Sequence, residues 1–230
     1  MFIGHYGPAF GGKAAMRAIP LWVLFVAVQW MDVVWSMLVL GGIEKLRIEP
    51  GYTEASALVL YDMPYTHGLF GSLVLSIVFG SVVALFFKGQ RGRAFLISAG
   101  AVFSHWLLDL LVHKPDLWIY DDVKVGFGLW RWVWISLPLE LACLWLGAWA
   151  YARFVPARRG GNVWLWMFVA TMSALQFYAD FGPDPTSPRA AALTALLAYG
   201  ALALLAGLVD LSRATAPRSK ATRAAASGTG

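Results

Sequence analysis

Six stretches of this chain stay apolar for the length a helix needs to cross a bilayer: residues 19–40, 68–87, 94–112, 129–151, 163–181 and 190–209. A helix rises 1.5 Å per residue, so ~20 residues cover a hydrocarbon core of ~30 Å. Lipid offers no partner to a backbone amide. Continuous runs that do not alternate in polarity therefore favour helices over a barrel. Charged residues make up 13% of the 230, about half the ~25% of ordinary soluble domains. The single Cys143 excludes a disulfide framework and a cysteine-rich zinc module. The sequence predicts an all-α, polytopic integral membrane protein with six transmembrane helices, forming one domain over residues 1–211. Residues 7–16 are too short and Gly-rich to span, and read as an N-terminal re-entrant or interfacial segment with its Lys13 and Arg17 end near the cytoplasm and His5 deeper. Residues 212–230, rich in Ala, Arg, Ser and Thr, read as a basic disordered tail.

Basic residues set the orientation. Twelve (Lys13, Arg17, Lys88, Arg91, Arg93, Arg153, Arg158, Arg159, Arg213, Arg218, Lys220 and Arg223) fall on one side of the expected spans, and six on the other. The positive-inside rule makes the first side cytoplasmic, with both termini there. The acids Glu44, Glu49, Glu54, Asp62, Asp116, Asp121, Asp122 and Asp184 fall in the outer loops. The net charge of +5 then reflects topology and a basic tail, with the lipid bilayer as partner and no nucleic acid. The first span is no signal peptide: it is too long, contains Asp32 and lacks a small-residue cleavage site.

Ionisable groups inside these spans need a partner or a function, because a carboxylate at the bilayer centre costs at least ~2.5–3.5 kcal/mol. The third span carries Ser104, His105, Asp109 and His113. At 100° per residue, His105, Asp109 and His113 share one helical stripe about 80° wide. An imidazole and a carboxylate one turn apart can reach one cation, which suits zinc, manganese or iron. Counted from the cytoplasmic end, Asp32 lies ~20 Å up, His105 ~16 Å, Asp109 ~22 Å and His113 ~28 Å. Asp62 and His67 sit at the outer mouth of the second span, where Thr66 is placed to cap it. A structural role remains open for each. His105 with Asp109 can tie helices together, His113 can sit at the interface before Pro115, and Glu140 can satisfy amides freed by Pro138.

Gly4-His5, an acid late in the next apolar helix, Tyr65-Thr66-His67-Gly68 and Ser104-His105-x-x-x-Asp109 follow one another in a familiar order. They resemble the bacterial inner-membrane metal-dependent hydrolase family that includes the LexA-regulated, YdjM-like proteins. Its pattern runs G-H, P-D-x-D-H, H-R-G-x-T-H-S, S-H-x-x-x-D. The resemblance covers residues 4–113. Asp62 stands at the first histidine of H-R-G-x-T-H-S, Gly68 replaces the serine, and Asp32 alone remains of P-D-x-D-H. Residues 41–51 and 124–130 are similar to a six-helix branch labelled permease.

The leading expectation is a divalent-metal site, zinc first and Mn2+ or Fe2+ next, hydrolysing a lipid or envelope substrate on the extracytoplasmic side of the plasma membrane. His5, His67, His105 and Asp109 are the expected metal ligands, and Asp32 or Asp62 the general base. Ser104 and His113 would support the ligands. Lys114 and Lys124 would hold an anionic head group, under a lid at residues 126–128. A permease using the same groups as a proton or cation relay is the alternative, and a purely structural polar cluster is a third.

Overall fold

The structure, a computed structural model, describes residues 1–120 and 122–213. Beyond Arg213 the expected basic tail lies outside the described residues, as does Asp121. A 3-10 turn, Ile3–His5, leads into α1 (Tyr6–Ala15), α2 (Leu21–Val28) and α3 (Trp30–Leu40). Strands β1 (Lys45–Ile48) and β2 (Leu58–Asp62) precede α4 (Leu69–Leu85) and α5 (Arg91–Val112). Then come β3 (Leu117–Tyr120), β4 (Val123–Val125), α6 (Val133–Phe154), α7 (Gly161–Phe181) and α8 (Pro188–Leu211).

Among the described residues, α5, α6 and α8 are long and apolar enough to cross a membrane. The α2–α3 pair makes a fourth if taken as one span broken by 54°. Helix α4 has 17 residues, and α7 is interrupted by Asn162, Thr171, Ser173, Gln176 and Asp180. The six expected spans thus reduce to three or four by length and composition. Large apolar side chains such as Leu85, Leu197, Leu204 and Trp134 are exposed, a surface suited to lipid rather than water.

Two further expectations change. The chain is not purely helical: β1 pairs antiparallel with β2, and β3 with β4. These ribbons lie in segments the charge pattern marked only as outer loops. The first span is also not one helix. It breaks at Gln29, whose φ of −107° and ψ of 8° end α2 and start α3. In an unbroken helix the Val28 carbonyl would accept from the amide of Asp32. The break frees that carbonyl and leaves Asp32 in the first turn of α3, where the helix dipole favours a carboxylate.

Helix α1 is buried inside the bundle against α6, α2 and α5. Small residues make this possible: a Cβ on Gly147 of α6 would run into the backbone of Gly7, and one on Gly7 into that of Cys143. At the far end of α1, Lys13 Nζ donates to Arg17 O (2.8 Å), Ile19 O (2.9 Å) and Asp210 Oδ2 (2.8 Å). Asp210 also accepts from Leu21 N (3.1 Å) and from the Tyr151 hydroxyl (2.8 Å). One partly buried ion pair therefore gathers the ends of α1, α2, α6 and α8. At the opposite end, Ser187 caps α8 by accepting from Ala190 N at 3.1 Å, with Pro188 at the first helical position.

Candidate metal centre

Helix α5 supplies His105 and Asp109 from successive turns, and His113 follows at its end; all three are buried. The 3-10 turn before α1 brings in His5, fully buried. Asp32 comes from the first turn of α3, and His67 from the turn entering α4. Two triads, His5/His105/Asp109 and Asp32/His67/His105, each bring ligand atoms within 4.8 Å of one another, and either could hold a metal.

The hydrogen bonds fix which nitrogen each imidazole presents. His105 Nδ1 lies 2.7 Å from Val28 O; a carbonyl only accepts, so Nδ1 carries a proton and Nε2 is the nitrogen turned toward the carboxylates. His113 Nδ1 donates to Asp116 Oδ1 at 3.0 Å, with the same result. For His67, Thr66 Oγ1 gives its one proton to Glu44 Oε2 (2.6 Å) and so accepts from His67 Nδ1 (2.8 Å). Three Nε2 atoms thereby converge on two carboxylates, placed either to donate to them as imidazolium N–H groups or to share a cation with them. Partners that orient a ligating histidine in this way are what metal sites require.

The spacing fits as well. A tetrahedral ion with bonds of ~2.0–2.1 Å separates neighbouring donors by about 3.3–3.4 Å. His105 Nε2 lies 3.1 Å from Asp109 Oδ2 and 3.5 Å from Asp32 Oδ1. His67 Nε2 lies 3.2 Å from Asp32 Oδ1 and 3.6 Å from Asp109 Oδ2. On the other side of Asp109, Oδ1 is 3.2 Å from His5 Nε2 and 3.6 Å from His113 Nε2, and it also pairs with the Met1 amine.

Other expected residues fall elsewhere. Asp62, at the end of β2 opposite Lys45, makes no hydrogen bond or ion pair with the cluster among the described residues. Ser104 Oγ donates back to Ala101 O at 2.7 Å, within its own helix. Lys114 Nζ donates to Tyr52 O (2.7 Å) and lies over the Tyr52 ring, while Lys124 Nζ reaches Tyr61 O (3.4 Å) and lies over Trp118. Both lysines lace the two ribbon segments together. Residues 126–128 cap α5: Phe127 N donates to Leu110 O (2.8 Å) and Gly128 N to His113 O (2.6 Å). Gly126, at φ +154°, brings its backbone close to the carbonyls of His113 and Lys114. Thr66 does not cap α4, whose first turn follows Gly68 without a side-chain cap; its hydroxyl serves His67 instead.

Several site residues carry no local signal in the sequence. Tyr199 of α8 donates to Asp32 Oδ2 at 2.7 Å. Glu44 holds Thr66, and Trp106 Nε1 donates to the His67 carbonyl at 3.0 Å. Glu140 does bind amides, but those of Phe2 (2.8 Å) and Gly4 (3.0 Å) rather than any freed by Pro138. Only Asp116, three residues beyond His113, was within reach of a helical-spacing argument. An apolar surface cleft of about 260 Å³, lined by Pro64, Gly68, Leu69, Phe70, Trp118 and Ile119, opens beside the His67 turn. Asp32 is the most exposed ligand, at 13% of its side chain. No family model matches the chain, and neither does any curated protein or solved structure.

Proposed function

We propose that this protein is a metal-dependent hydrolase of the bacterial plasma membrane that cleaves an ester, amide or phosphodiester bond of a lipid or envelope substrate. The observation that carries this reading is the set of three imidazoles whose Nδ1 atoms are occupied by acceptors while their Nε2 atoms face Asp32 and Asp109. Zinc is the favoured ion and manganese or iron(II) the next, since the donors are nitrogen and oxygen only. Such an ion polarises the scissile group and makes water nucleophilic near neutral pH.

The protein's own groups then have separate tasks. His67 and His105 would hold the ion against Asp109. Asp32 turns Oδ1 toward the imidazoles, and its Oδ2, steadied by the Tyr199 hydroxyl, receives the proton of the attacking water. The apolar cleft beside His67 suits an acyl chain. Six crossings remain the favoured topology: α2 and α3 count as one broken span, and the gathering of Lys13, Asp210 and Tyr151 at one end agrees with the cytoplasmic side given by the basic residues.

One observation favours the permease instead. A helix pair bent by 54° at Gln29, with a carboxylate in the first turn of its second half, resembles the broken helices with which many transporters hold a cation. Elemental analysis of purified wild type against His105→Ala and Asp109→Ala tests the metal. Wild type should carry zinc or another divalent ion, and both variants should lose it. Metal retained by both variants would refute the ligand assignment. In proteoliposomes, metal-dependent turnover of a lipid-like ester or phosphodiester without solute uptake is expected. Metal-independent uptake abolished by Asp32→Asn would hand the site to the permease.

A further inference from the structure

The cluster holds more donors than one ion can use, and they divide into two sets around Asp109. Oδ2 faces His105 Nε2 at 3.1 Å and His67 Nε2 at 3.6 Å, whereas Oδ1 faces His5 Nε2 at 3.2 Å and His113 Nε2 at 3.6 Å. The deciding geometry is the stack of His5 on His105. Their ring centroids are 3.7 Å apart and their planes differ by 6°. An imidazole lone pair lies in its ring plane. An ion midway between two such rings would sit about 1.8 Å out of each plane, half the stacking distance. With a metal–nitrogen bond of ~2.0–2.1 Å, that is roughly 60° away from either lone pair. Held in this stack, His5 and His105 cannot both aim a lone pair at one ion, so the His5/His105/Asp109 triad needs one ring to turn before it can bind one. Two ions, one in each ring plane, would stand about one stacking distance apart, which matches the ~3.5–4 Å spacing of two-metal sites.

His5 supplies an independent sign. It is fully buried, yet its Nδ1 has no partner among the described residues, and its Nε2, like His105 Nε2, meets an Asp109 oxygen (3.2 and 3.1 Å) without hydrogen-bond geometry. Buried polar atoms are almost always paired, and an unpaired pair of imidazoles aimed at one carboxylate asks for a ligand.

Resting on the metal reading above, we propose that the centre is dinuclear and that Asp109 bridges it. The first ion takes Asp109 Oδ2, His105 Nε2, His67 Nε2 and Asp32 Oδ1. The second takes Asp109 Oδ1, His5 Nε2 and His113 Nε2, in the place that the Met1 amine holds against Oδ1 in this structure. Both are divalent ions that accept imidazole and carboxylate donors, zinc or manganese first.

The test uses the full chain in detergent, stripped by a chelator and reloaded with Zn2+ or Mn2+. Elemental analysis of the zinc-loaded wild type should give two ions per chain. Electron paramagnetic resonance of the manganese-loaded wild type should show an exchange-coupled pair instead of the six lines of an isolated ion, a readout that needs no variant. His5→Ala and, separately, His113→Ala should lower the count from two to one and restore the isolated-ion spectrum, with size-exclusion profiles confirming the fold. Wild type that saturates at one ion, with an isolated-ion spectrum, overturns the dinuclear centre and leaves the mononuclear reading standing. Wild type that takes no ion overturns both. Two ions retained in His5→Ala would also overturn the proposal, because the second site would not depend on His5.

Discussion

Replacing Thr66 with Val removes one hydroxyl and leaves the shape of a buried side chain nearly unchanged. That hydroxyl donates to Glu44 Oε2 at 2.6 Å and accepts from His67 Nδ1 at 2.8 Å. Without it His67 loses the contact that fixes its protonated nitrogen and aims Nε2 at Asp32 and Asp109. The loss of such an orienting partner costs about 10–100-fold in metal affinity, or roughly 1.4–2.7 kcal/mol. A similar figure follows from the contact itself, since a buried N–H left without an acceptor costs about 1–3 kcal/mol. Competition against a chromophoric chelator, with protein in detergent, should show Thr66→Val binding zinc 10–100-fold more weakly. Thr66→Ser should stay within a few-fold of wild type, because it keeps the oxygen. The ligand change His67→Ala should be worse than either. A folded Thr66→Val protein with wild-type affinity would refute the argument that the Glu44–Thr66 pair orients a metal ligand.

Three more outcomes follow from other parts of the molecule. Single cysteines introduced in residues 153–162 and 115–125 of a Cys143→Ser background should label from opposite sides of the membrane; labelling from the same side would refute the topology. Gly147→Val forces a side chain against the Gly7 backbone, so α1 should shift and carry His5 away, lowering both the melting temperature and the metal content. Gly11→Ala, where a Cβ meets nothing within 4 Å, should change neither. Lys13→Met removes the cation beside Asp210, which is partly buried and keeps Leu21 N and the Tyr151 hydroxyl as donors, for a loss of about 1–3 kcal/mol. Adding Asp210→Asn should return part of the lost thermal stability, and a double variant less stable than Lys13→Met would show that the pair's charges do not govern this end.

Apolar run length and local spacing were legible in the residues themselves. An apolar run needs only its own length to declare a helix that can enter lipid, and α5, α6 and α8 match their expected stretches within a few residues. The His105, Asp109 and His113 stripe was readable for the same reason, since residues four apart on one helix meet whatever the rest of the chain does. His5, His67 and Asp32 join that stripe in the structure.

Tertiary packing alone decided the rest. Nothing in Ala27-Val28-Gln29-Trp30-Met31-Asp32 forbids a continuous helix. The break at Gln29 goes with the freed Val28 carbonyl that His105 binds and with the Gln29 amide reaching Phe2 O at 3.2 Å. Asp62 and Asp32 looked equally able to join the site, yet β-pairing holds Asp62 opposite Lys45 while the break brings Asp32 inward. Glu44 and Tyr199 lie 22 and 167 residues from the groups they orient, so no periodicity links them. Lipid explains the division. A span satisfies its own backbone and so announces itself, whereas a polar side chain inside the bilayer must find its partner on another helix, and only the packed bundle determines which one it meets.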